Sequence, residues 1–294
     1  MPRTPAETHT LQTPGVDLVH DVWRPSDAGA GHRALLMAGH PMDARGFDTL
    51  ASYFPDRTVV AYDPRGLGRS GRKDGSDQRT PELHATDLHA LIASLGAPVD
   101  VFASSGGAVN ALALVAAHPD DVATLVAHEP PVIGYLPDAE EAFAAERAVQ
   151  TAYHAGGFGA GMAAFIALTS WQGELTDEYL ARPAPDPARF GMPTDDDGRR
   201  DDPLLSGTGA AITAFTADLD ALRAAATRIV VGVGVESRDQ LAGRAAAAFA
   251  RSLGVPVTEF PSHHGGFLGG EGGWAGQPEA FAARLRGVLD EHAA

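Results

Sequence analysis

The chain has 294 residues, 44% of them hydrophobic, enough for one large α/β domain carrying an insertion. Its 38 acidic against 22 basic residues give a formal net charge of −16, which repels phosphate backbones and excludes nucleic acid as an expected partner. It has no cysteine, which removes disulfides, thiolate nucleophiles and cysteine-ligated metals, and no apolar run near the roughly 20 residues needed to span a bilayer.

Residues 1–14 are polar and lack the apolar stretch of a secretory signal, so the expected compartment is the cytoplasm. Residues 9–23 predict an edge hairpin. Ala34-Leu35-Leu36-Met37 predicts a buried strand ending in Ala38-Gly39-His40-Pro41, and Thr58-Val59-Val60-Ala61-Tyr62 a second, ending in Asp63-Pro64-Arg65-Gly66. Residues 81–95 have helical spacing, with Leu83, Leu88, Leu91 and Ile92 along one side and Gly96 where a C-cap belongs. A strand at 98–102 runs straight into Ser104-Ser105-Gly106-Gly107, and a helix is expected over 109–117. The next strand, 123–127, closes in His128-Glu129-Pro130-Pro131.

From 133 to 223 the rhythm changes. Alanine-rich helical segments at 140–152 and 161–171 surround a Pro- and Asp-rich loop at 182–203, without a strand signal. This predicts a helical lid inserted into a core of residues 1–132 and 224–294. The core pattern resumes with a strand at 228–232, a helix at 241–253, a strand at 256–260, a glycine-rich loop at 261–276 and a closing helix at 278–292. Such alternation predicts a mostly parallel sheet with helices on both faces.

The most informative segment is Val101-Phe102-Ala103-Ser104-Ser105-Gly106-Gly107-Ala108: strand, tight turn, helix. Small residues stand two before and two after Ser105. A serine at such an elbow takes a strained backbone that pushes its hydroxyl out at the edge of the sheet. The helix that follows aims its N-terminal amides at the site and favours negative charge on a substrate oxygen. Ser104 is the rival nucleophile, but Phe102 would then fill a position that needs a small residue.

On these residues the chain resembles the α/β-hydrolase superfamily over nearly its whole length. The family pattern is small-x-nucleophile-x-small, with Gly usual where this chain has Ala103. The resemblance implies an eight-stranded sheet and an oxyanion hole built from the backbone amides of Gly106 and His40, where relatives carry a His-Gly-like pair. It places the catalytic histidine in the loop after the last strand, Ser262-His263-His264-Gly265-Gly266-Phe267, and His264 matches better than His263. A carboxylate must fix that imidazole. Glu236, with Asp239 nearby, follows the strand that most often supplies it; Glu129 follows the preceding strand, which supplies it in some branches. The Ser-Ser pair followed by His-Glu-x-Pro is similar to zearalenone lactone hydrolases, whose acid is the glutamate of the second motif. That similarity favours Glu129 and leaves Glu236 as the alternative.

Weaker signals point elsewhere. Gly66-Leu67-Gly68-Arg69-Ser70-Gly71 fits a dinucleotide-binding pattern, but a polar loop follows instead of the required helix. The family has a structural turn there. Trp171, Phe165 and Tyr135 lie in the insertion, where they serve equally as lid core or as a wall for an apolar substrate. The acidic run around Asp195-Asp196-Asp197 reads as a solvated loop rather than a metal site.

These residues predict a serine hydrolase cleaving a small apolar carboxylic ester or lactone through an acyl-enzyme, without cofactor, metal or membrane partner. A homodimer is compatible with the sequence. Perhydrolysis or C–C bond hydrolysis by the same residues, and a non-catalytic small-molecule-binding protein on the same fold, are the alternative readings.

Overall fold

The computed structural model describes residues 7–25 and 31–291. The first six residues of the polar N-terminus and His292, the expected end of the closing helix, lie outside the described residues.

Eight strands, β1 (Glu7–Gln12), β2 (Asp17–Trp23), β3 (Leu35–Ala38), β4 (Val59–Tyr62), β5 (Val99–Ser104), β6 (Val122–His128), β7 (Arg228–Gly234) and β8 (Val257–Phe260), form one sheet. Their order is β1-β2-β4-β3-β5-β6-β7-β8. β2 is antiparallel to both β1 and β4, making the expected edge hairpin, and every pair from β4 to β8 is parallel. β3, β4 and β5 are buried at every position. That is why they read as unbroken apolar runs rather than as an alternating pattern.

Each face of the sheet has its own core. Val101 and Ala103 of β5 pack with helices Pro81–Leu95, Gly106–Ala117 and Leu241–Leu253. Phe102 points the other way, into a cluster with Phe47, Phe260, Phe267 and Phe281, covered by helix Pro278–Asp290. The expected helices at 81–95 and 241–253 are observed at those bounds. The one expected at 109–117 starts earlier, at Gly106. Its glycines are poor helix formers in isolation, but tertiary contacts demand them there.

Between β6 and β7 the structure holds only helices, turns and loops. The two helices expected there are joined as Ala139–Thr169, broken at Gly157, where φ is +76°. Just beyond the break, a Cβ on Gly159 would fall 1.8 Å from the Pro193 carbonyl oxygen, so the Pro- and Asp-rich loop packs directly on the helix backbone. Apolar side chains of this region, among them Leu136, Val149, Tyr153, Leu168 and Leu205, cluster with Ala245 and Ala248 of the core helix. Asp138 and Arg244 pair across the same boundary. Tyr135, Phe165 and Trp171 all pack against this cluster.

The stretch from Asp63 to Ser70 is a turn held by its own side chains. Arg69 bridges Asp63 and Asp21, and the Ser70 hydroxyl donates to the Asp63 carbonyl at 2.7 Å. Among the described residues no helix is long and apolar enough to cross a membrane.

Candidate active site

Because the strands from β3 to β8 run the same way, the loops leaving their C-terminal ends gather at one edge of the sheet. His40 follows β3, Ser105 follows β5, Glu129 follows β6, Glu236 follows β7 and His264 follows β8.

Ser105 has φ +57° and ψ −130°, a region that is costly for any residue with a Cβ. Its N–H donates to the His128 carbonyl at 2.9 Å, tying the turn to β6. A Cβ on Gly107 would stand 2.4 Å from the Ala38 carbonyl oxygen. The small residue two after the serine is therefore demanded by the backbone of β3. Glu129 (φ +47°) and Ser262 (φ +69°) are the other non-glycine residues with positive φ among the described residues. All three lie at this edge, so backbone strain is concentrated around the site.

Glu129 is 0% exposed. Its Oε2 accepts the Nδ1–H of His264 at 2.6 Å, and its Oε1 accepts the Gly234 N–H at 2.8 Å and the Ser237 hydroxyl. Burial pushes this carboxyl up, but the hydrogen bond and charge of His264, with His128 and Ser237, outweigh it and hold it at about 2. Glu129 is thus an ionised acceptor sealed from water. With Nδ1–H given to Glu129, His264 keeps Nε2 as its free lone pair. Its side chain is 40% exposed, open on the side away from Glu129. No hydrogen bond joins the Ser105 hydroxyl to His264 among the described residues; catalytic hydrogen bonds often form only once substrate is bound.

The amides of His40 and Gly106 donate to no protein group among the described residues. They are neighbours, since a Cβ on Gly106 would stand 2.9 Å from the His40 carbonyl oxygen. Free N–H groups on adjoining residues at this edge suit a developing oxyanion. The His40 ring does not face them; it is buried edge-on against His84 at 4.6 Å. Burial, with the nearby Arg79 charge, pushes it down to about 4.

Glu236 is exposed and stands apart from His264. Its side chain accepts from Gln277 at 3.2 Å, and its N–H donates to the Ser262 carbonyl. The ring nitrogens of His263 bond the Ala275 carbonyl and the Gly265 N–H. Trp171 packs on Tyr179 and beneath Arg182, and its indole N–H donates to the Glu174 carbonyl. Ile212, between β6 and β7, does reach the Ser105 turn: its Cγ2 would lie 3.1 Å from a Cβ on Gly106.

Four residues of this site were given no role by the sequence: Gly234, Ser237, His128 and Ile212. Ser237 and Gly234 hold Glu129. Behind the elbow, the Ser104 hydroxyl lies 3.2 Å from His128 Nδ1. His128 is fully buried among Phe260, Phe267 and Phe281, and burial pushes it down to about 4. Ile212 is one of many apolar residues in the insertion. Only the packing singles it out.

Residues 19–284 match the family model described as the Alpha/beta hydrolase family. An uncharacterized hydrolase of Bacillus subtilis, YraK, is 36% identical over 129 residues, which is 43% of this chain and about half (46%) of that relative's length. Among solved structures, a thermophilic esterase from Thermogutta terrifontis superposes with a TM-score of 0.64 at 21% identity, over 97% of this chain and 99% of that one. A structure from work on carboxylesterases of Nitrososphaera gargenis gives a TM-score of 0.66 at 15% identity, over 96% and 98%. At these identities the likeness is one of fold.

Proposed function

Since the chain belongs to the alpha/beta hydrolase family and is a hydrolase, we propose that it cleaves a carboxylic ester or lactone through an acyl-enzyme formed on Ser105. In this reading the Ser105 hydroxyl attacks the carbonyl carbon while His264 Nε2 takes its proton. The amides of His40 and Gly106 hold the oxygen as it becomes negative. Glu129, already ionised, stabilises the imidazolium that forms. His264 returns the proton to the leaving alkoxide, then activates water to release the acid.

One observation carries the reading: the buried Glu129 carboxylate grips His264 Nδ1 at 2.6 Å on the same sheet edge as the strained serine. A binding protein would have no use for an imidazole held in one tautomer by a buried carboxylate.

The test compares Glu129→Gln, Glu236→Gln and Ser105→Ala on an aryl ester. Ser105→Ala should lose on the order of 10⁶ in turnover, and Glu129→Gln about 10⁴. Glu236→Gln should stay close to the parent. Equal and small losses in both glutamine variants would refute the assignment of the acid, and an active Ser105→Ala would refute the acyl-enzyme.

A further inference from the structure

The loop after β3, which carries the His40 amide of the proposed oxyanion hole, lies among buried polar groups that ester cleavage does not use. His84 is 0% exposed and His40 6% exposed, and none of their four ring nitrogens has a hydrogen-bond partner. Asn110, one turn into the helix that begins at Gly106, is buried with both amide atoms unpartnered. Arg79 directly precedes Thr80, the N-cap of the helix that carries His84. Its Nε and Nη1 are buried and unpartnered, and its charge bears on both His40 and His84. Asp77 and Asp202 are the opposite charges facing Arg79, and Arg72 is the like one. Neither acid closes an ion pair with it among the described residues.

By contrast, Arg57 pairs with Asp100, Arg65 with Asp87 and Arg244 with Asp138. Buried donors left without partners are costly, and native proteins seldom collect several in one place. The planar fork of a guanidinium fits a carboxylate best. The two histidines can add N–H donors there, and the fifteen-residue helix Pro81–Leu95 points its positive end at the same spot.

We propose that Arg79, with His84 and His40 behind the oxyanion loop, binds a carboxylate carried by the substrate, so that the natural substrate is an ester or lactone bearing a free acid group. The proposal rests on the ester-hydrolase reading of Ser105. It replaces the wholly apolar substrate suggested by the aromatic residues of the insertion. Asp202 and Ile212 belong to one stretch of that insertion, the first facing Arg79 and the second seated against Gly106.

Two charged esters test the idea, each beside a neutral counterpart. Mono-para-nitrophenyl adipate, against para-nitrophenyl hexanoate, puts the carboxylate on the acyl side. Para-hexanoyloxybenzoate, against its methyl ester, puts it on the leaving group. At least one pair should favour the charged member by about tenfold or more in kcat/KM, the scale of a charge-assisted hydrogen bond. That ratio should collapse in Arg79→Gln and survive in part in Arg79→Lys, which also serves if the glutamine variant fails to fold. No charged preference in either pair, or one that persists in both variants, overturns the proposal. Silence toward every ester would count against the reading of Ser105 instead. The anion site is then judged by titrating glutarate into Ser105→Ala: a rise in Tm that Arg79→Gln abolishes supports it, and no rise overturns it.

Discussion

At the scale of single residues, the proposed chemistry depends on a buried charge that burial alone would not permit. Glu129 stays ionised because its two oxygens accept from His264, Gly234 and Ser237, and the same contacts hold its carboxyl at about 2. A carboxyl depressed below its ordinary 4.5 contributes stability that is fully present above that value and is lost as pH falls from there toward 2. His128, held neutral by burial at about 4 against its ordinary 6.5, acts in the same direction, because it takes up a proton more readily when unfolded. Melting temperature should therefore fall below pH 6.5, and more steeply below about 4.5. Glu129→Gln should flatten the lower part of that curve and leave the upper part. A variant profile parallel to the parent down to pH 3 would show that Glu129 carries no such linkage.

At the scale of elements, the elbow is a packing problem between one helix and one strand. The helix Gly106–Ala117 approaches β3 so closely that a Cβ on Gly107 would meet both the carbonyl oxygen and the carbon of Ala38, at 2.4 and 2.7 Å. Neither backbone atom can step aside cheaply. Gly107→Ala should cost about 1–3 kcal/mol by overpacking and reduce kcat, because the shift moves Ser105 and the Gly106 amide. Gly287 is the control, since it sits inside helix Pro278–Asp290 with nothing within 4 Å of an added Cβ. Gly287→Ala should raise stability by about 0.5–1 kcal/mol from helix propensity. Thermal melts of the two variants separate the close approach from a general intolerance of alanine.

At the scale of the whole molecule, the region between β6 and β7 is tied to the core helix Leu241–Leu253 by polar contacts of Arg244. Asp138 accepts from Arg244 of the core helix and from the Leu175 N–H at 2.7 Å, while Arg244 also donates to the Gly173 carbonyl at 2.7 Å. Removing one member of a buried pair strands the other, at a cost of about 3–5 kcal/mol. Asp138→Ala should expose the region between β6 and β7 to limited proteolysis before the sheet opens, and it should disturb Ile212 over Gly106. Cleavage that begins elsewhere, or resistance equal to the parent, would show that this tie does not hold the insertion down.

The sequence by itself determined the parallel core and the order of its parts. Buried parallel strands must be apolar on both faces, and a turn as tight as that at Ser105 tolerates only small neighbours, so both leave a local mark. Glu129 and Glu236 were not separable in that way, because each merely follows a strand at the same edge. Tertiary structure separated their surroundings: Glu129 meets an imidazole 135 residues away, whereas Glu236 faces solvent and Gln277. The contact of His40 with His84 was equally invisible, since it joins the loop after β3 to a helix whose distance along the chain encodes no contact. Patterns along a chain report what each residue needs from its immediate neighbours; partners brought together by folding are decided by the packing.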